Sequence, residues 1–138
     1  AASQKELKPP GNNIKKEIVV LNEDKKECRA FCTMLEERSY QAVPARSLAD
    51  MTRIIQGGTC LVSIIDLDTV AVDNRTIREL TIQNPGVYFL CLSKDRFHPE
   101  LKEAICYHIF ACINKPVDPD ELFFCLRSIY KDEAKPTT

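Results

Sequence analysis

Five short apolar runs punctuate the chain, and segments of helical periodicity lie between them. Glu17-Ile18-Val19-Val20-Leu21-Asn22 reads as a buried strand. The stretch from Asp24 to Arg38 then places Cys28, Phe31, Cys32 and Leu35 on one helical face. Tyr40 to Ala45 predicts a second strand, and Pro44, which has no N–H for a ladder, suits a sheet edge. Ser47-Leu48-Ala49-Asp50 resembles a capping box with Asp where Glu or Gln is usual. The helix it opens carries Leu48, Met51, Ile54 and Ile55 inward and stops at Gly57-Gly58. Cys60-Leu61-Val62-Ser63-Ile64-Ile65 is apolar almost throughout, as a strand covered on both faces should be. A loop from Asp66 to about Asn74 leads to a helix near Arg75 to Gln83, ended by Asn84-Pro85-Gly86. Val87 to Leu92 is a fourth strand, a helix near Pro99 to Tyr107 follows, and His108 to Ile113 is the fifth strand. Asp118 caps a last helix, with Pro119 at its first position and Leu122, Leu126 and Ile129 on its inner face.

Repeated strand-helix alternation implies an α/β domain, a parallel sheet with helices on both faces. Five strands favour the flavodoxin-like doubly wound arrangement, strand order 2-1-3-4-5, over the six-strand dinucleotide form. No Gly-x-Gly-x-x-Gly follows the first strand and no Gly-Lys-Ser/Thr loop is present, which argues against dinucleotide and P-loop chemistry. The 138 residues suffice for one domain, placed at 17–131 between a flexible segment, 1–16, and a tail or linker, 132–138. Basic residues number 19 and acidic ones 20, so a nucleic-acid-binding face over the whole domain is not expected. No apolar run approaches the ~20 residues that span a bilayer, so no membrane partner is expected. The seven cysteines are an odd count without a secretory stretch, which favours reduced thiols and a cytoplasmic setting. Cys28 and Cys32 have helical i, i+4 spacing, but no second pair at finger-like spacing completes a metal site.

In a doubly wound sheet, chemistry collects beyond the carboxyl ends of the strands. Here those ends carry Asn22, Glu23 and Asp24 after the first strand, Asp66 and Asp68 after the third, Ser93 after the fourth, and Asn114 and Lys115 after the fifth. Crowded carboxylates repel unless a cation or protons intervene. Such oxygen ligands suit Mg²⁺, which takes one or two carboxylates, a carbonyl and waters. A lysine opposite could neutralise a phosphoryl group, a serine hydroxyl could donate to one of its oxygens, and an aspartate can attack phosphorus to form an aspartyl phosphate.

With these residues in this order, the chain resembles the receiver domain of two-component response regulators. The carriers are Ile18 to Asp24, Leu61 to Asp66, Phe89 to Ser93, Ile113-Asn114-Lys115-Pro116-Val117 and Asp120-Glu121-Leu122. The resemblance implies that Asp66 accepts a phosphoryl group from a sensor histidine kinase or phosphotransfer protein. It makes Ser93 and Lys115 the phosphoryl-binding groups. It gives Mg²⁺ to Glu23, to Asp66 and to the main-chain carbonyl of Asp68, with Asp24 as a further candidate. The Lys115-Pro116 bond would be cis, aiming the lysine inward. Phosphorylation would then shift a two-state equilibrium on the face of strands four and five, where an effector domain or partner docks; a homodimer is admitted. Such a domain is a switch and not an enzyme in the turnover sense.

Several positions depart from that pattern. Asn22 stands where the first of two acids is usual, Lys94 where a small residue is usual, and Cys112 at the position of the switch aromatic. The loop after Asp66 lacks Met-Pro. A degenerate receiver that docks partners without phosphorylation therefore stays open. Glu23 and Asp24 read equally as first-turn acids of a helix. His98 and His108 lie outside the strand-end cluster. Asp66-Leu67-Asp68-Thr69-Val70 also resembles the first motif of haloacid-dehalogenase-type phosphatases, although that motif belongs on the first strand and here falls on the third.

Overall fold

A computed structural model describes residues 16–95 and 109–134. Five parallel strands form one sheet: β1 (Glu17–Leu21), β2 (Gln41–Ala45), β3 (Cys60–Asp66), β4 (Tyr88–Ser93) and β5 (Ala111–Asn114), in the order β2-β1-β3-β4-β5. The helices among the described residues are α1 (Lys25–Glu37), α2 (Leu48–Gln56), α3 (Asn74–Gln83) and α4 (Pro119–Ala134). The flavodoxin-like order expected from the sequence is the one observed.

Period-2 alternation divides the core. Val19, Leu21, Ile65, Phe89 and Cys91 face one side, packed with Met51 and Ile55 of α2 and Ile77 and Leu80 of α3. Ile18, Val20, Ile64, Leu90 and Leu92 face the other, with Cys28, Cys32 and Leu35 of α1 and Leu122, Leu126 and Ile129 of α4. All seven residues of β3 are buried, as expected of a nearly continuous apolar run covered on both faces. Pro44 lies on β2, at the edge where its missing N–H does least harm.

The helix starts follow local chemistry. Asp24 caps α1 by accepting from the Glu27 N–H at 3.0 Å, and Ser47 caps α2 by accepting from the Asp50 N–H at 3.0 Å. The short Asp50 side chain reaches past the cap to the Arg46 N–H, 3.3 Å away, so the box is not the strictly reciprocal one. Asp118 accepts from the Asp120 N–H at 2.9 Å, and its carbonyl accepts from the Leu122 N–H.

Several boundaries shift by a residue or more from the sequence reading, β4 among them as Tyr88–Ser93, and three of the shifts bear on the site or on the domain end. Asp66 is the last residue of β3, paired with Leu92, and not the first of a loop. The fifth strand is Ala111–Asn114, shifted toward the site, because Asn114 pairs with Ser93. The last helix runs through Ala134, three residues past the expected domain end at 131. The helix expected near Pro99 to Tyr107, His98, His108, Cys106, and segment 1–15 lie outside the described residues.

Candidate functional site

Four polar residues are buried among the described ones: Asn22, Ser63, Asp66 and Ser93. Three of them sit at the carboxyl end of the sheet, which marks that end as the place where polarity is retained at a cost. Asp66 stands at its centre, on β3. Its Oδ1 accepts from the N–H of Asp68 at 2.9 Å and of Thr69 at 3.1 Å, so the loop wraps one carboxylate oxygen. Its Oδ2 accepts from Lys115 Nζ at 2.6 Å and from Asn22 Nδ2 at 3.3 Å. Four donors thus hold one buried carboxylate.

Lys115 reaches in from just beyond β5, immediately before the cis Lys115-Pro116 bond. Its ammonium also lies 3.2 Å from Glu27 Oε1 and 3.4 Å from Asp68 Oδ2. Burial disfavours the ammonium, but hydrogen bonding and charge from Asp66 and then Glu27 prevail, and the Lys115 pKa is raised. The Glu27 carboxyl is held below its ordinary range, chiefly by the Asn22 amide and then by Lys115. One cation faces three carboxylates, so the pocket keeps a negative excess.

Ser93 is fully buried on β4, and its hydroxyl accepts from the Asp95 N–H at 3.0 Å. Asp68 turns its side chain to the site, accepting from the Lys94 N–H at 3.1 Å. Lys94 itself is exposed. Asp24 is committed to its helix cap. Glu23 is exposed on the adjoining turn, with its N–H donating to Thr69 Oγ1 at 3.1 Å. Neither Glu23 nor Asp24 forms an ion pair among the described residues. Cys112 is half-buried opposite Cys91.

Sequence reasoning missed two participants, Glu27 and Thr69, and read a third, Asn22, only as a lost acid. Glu27 lies in the first turn of α1, after the cap Asp24, while Glu23 precedes that cap, so no helical periodicity tied Glu27 to the strand-end acids. Thr69 donates its hydroxyl to Asn22 Oδ1 at 3.1 Å and so ties the loop after β3 to the loop after β1. Asn22 is more than a lost acid: its amide donates to Glu27 at 2.8 Å and to Asp66, while its oxygen accepts from the Asp24 N–H at 2.7 Å and from Thr69.

Among the described residues no three His, Cys, Asp or Glu side chains gather as a ready-made metal cage. Mg²⁺ does not need one, since it keeps several waters and takes as few as one or two carboxylates. The anionic excess around Asp66, with exposed Glu23 beside it and the Asp68 carbonyl in the same loop, is a donor set of that hard-oxygen kind.

The sequence matches no protein-family model and no curated protein. Solved structures do match. The signal receiver domain of an HD domain-containing protein from Pseudomonas fluorescens Pf-5 is 18% identical with TM-score 0.74, over 86% of this chain and 88% of that one. A CheY-like response regulator receiver domain from Methylobacillus flagellatus is 19% identical with TM-score 0.71, over 83% and 98%. The receiver domain of a Saccharomyces cerevisiae response regulator, solved with its histidine phosphotransfer protein, matches at 15% identity and TM-score 0.64, over 80% and 85%. The fold of this chain is therefore that of response-regulator receiver domains. Among the described residues no helix is long and apolar enough to cross a membrane.

Proposed function

We propose that this chain is a phosphorylation-dependent receiver domain with Asp66 as phosphoacceptor. The carrying observation is the 2.6 Å contact between Lys115 Nζ and the buried Asp66 carboxylate, at the strand ends where such a sheet places its site. The donor would be a phosphohistidine on a sensor kinase or phosphotransfer protein. Asp66 Oδ2, whose partners are side chains and so can move, attacks phosphorus. The P–N bond breaks, the imidazole nitrogen keeps the electron pair and takes a proton, and an acyl phosphate forms. Oδ1 stays in its two amide bonds and fixes the carboxylate's orientation. The Lys115 ammonium shifts from Oδ2 to a phosphoryl oxygen, and Ser93 turns its hydroxyl from Asp95 to another. Mg²⁺, when bound, would be held by Glu23, Asp66 and the Asp68 carbonyl, with Asp24 as a further candidate, and would neutralise phosphoryl charge. The new arrangement would be read on the face of β4 and β5 by an effector domain or a partner protein.

A second reading, a docking module that needs no phosphorylation, draws on the four donors already engaged at Asp66 and on Asn22 in place of an acid. Beryllofluoride with Mg²⁺, followed by NMR, separates the two. Amide shifts at Asp66, Ser93 and Lys115 that vanish in Asp66→Asn are expected. An unresponsive wild-type spectrum would overturn the switch in favour of docking. Repeated turnover of a phosphate ester would overturn both in favour of a phosphatase.

A further inference from the structure

A second concavity lies outside this site, between α1 and β2. It encloses about 310 Å³, at the lower end of small-molecule sites (~300–1,000 Å³). Its floor is apolar: the buried thiols of Cys28 and Cys32, with Ala42 and Pro44 opposite. Its rim carries Lys25 and Arg29, one turn apart on α1, and Arg46, which follows β2. These three cations are exposed, and none forms an ion pair among the described residues. Glu36 is the only acid at the rim among the described residues. Three positive groups against one negative group give a local excess of two, on a chain whose net charge is -1.

Exposed cations of one sign grouped around an apolar hollow give it a positive local potential, which favours an anionic occupant over a neutral or cationic one. The thiols do not supply that charge. Burial raises both, and Cys32 is pushed up to about 12, so both stay neutral near pH 7. The β2 wall includes Pro44, which offers no N–H to an added strand, so an extended peptide is a poor occupant.

We propose that the α1–β2 cavity binds a small organic anion, an apolar body bearing a carboxylate or a phosphate monoester. The body rests on Cys28, Cys32 and Ala42, and the anionic group takes charge-assisted hydrogen bonds from Arg29 and Arg46, with Lys25 beside them. Both walls also serve the Asp66 site. The carbonyl of Ala45, next to Arg46, accepts from the Asn22 N–H at 3.1 Å, and α1 carries Glu27 to Lys115.

The test is an NMR titration of the full chain with phenyl phosphate and with benzoate, each against benzyl alcohol as the uncharged control. Saturable shifts confined to residues 25–36 and 42–46 are expected with the anions and not with the alcohol. They should survive in Asp66→Asn, which separates this cavity from the phosphoacceptor. Affinity should fall about tenfold or more in Arg29→Gln/Arg46→Gln, whose exposed side chains leave the core untouched. Equal binding of benzyl alcohol, unchanged affinity in the double variant, or shifts only around Asp66 would each overturn the proposal.

Discussion

The centre and the edges of the sheet solve different problems. β1, β3 and β4 are buried almost end to end, while β2 and β5 are half covered. The centre nonetheless supplies the buried polar groups of the site, Asn22, Asp66 and Ser93. The edge supplies the long cation: the Lys115 side chain is 13% exposed against 2% for Asp66. A carboxylate on a buried strand persists only if donors meet it there. Two backbone amides and the Asn22 amide do so rigidly, and Lys115 does so on a flexible stem. The anchored half of the site thus belongs to the centre and the adjustable half to the edge.

The largest effect that follows concerns packing. Phe89, 1% exposed on β4, should cost about 3–5 kcal/mol on truncation to Ala. Val43 on the half-buried edge strand β2 should cost about 1 kcal/mol on the same change, since it loses fewer carbon atoms and its site is partly wet. Urea unfolding of the two variants measures the difference. Comparable losses would break the contrast between centre and edge.

A smaller effect separates the two halves of the site. Lys115→Met leaves Asp66, Glu27 and Asp68 facing one another without a cation. Breaking a buried pair costs ~3–5 kcal/mol, and the half-exposed Glu27 side reduces this to about 2 kcal/mol here. Asp66→Asn removes one of the repelling charges and should cost far less. In the double variant most of the Lys115→Met loss should disappear, because the neutral amide no longer needs the ammonium. Additive losses in urea melts would show that the two groups do not act as a pair.

What was legible from residue order follows the same division. The strands of the centre announce themselves as apolar runs, and Asp66 follows from where the β3 run stops. The edge was less legible: β5 is four residues long, and its register is set by pairing with Ser93, which no local pattern records. Glu27, Thr69 and the amide orientation of Asn22 were missed for a related reason. Each acts across a gap of sequence, through the phase of α1 or the path of a loop. Asn22 reads as a missing charge until its four hydrogen-bonding neighbours are known.

The exposed end of the scale should show the smallest effect. Asp73 caps α3, its Oδ1 accepting from the Thr76 N–H at 2.8 Å in full contact with water. That backbone bond, then the Thr76 side chain, lowers its pKa below the ordinary 3.8. The sign is the usual one for a carboxylate: the folded form binds its proton less readily than the unfolded form. The cap therefore contributes in full above the ordinary value and is lost as pH falls through the lower, folded one. The Thr76 amide and the Asp73 carboxyl carbon should titrate together by NMR with a midpoint under 3.8. In Asp73→Asn, which keeps a capping oxygen but carries no proton to lose, the Thr76 step should vanish. Water can replace a contact at this surface, so the Phe89 and Leu90 amides should not follow the Asp73 step. If they did, the cap would be coupled to the central strands, and the separation of a rigid centre from a replaceable periphery would fail at α3.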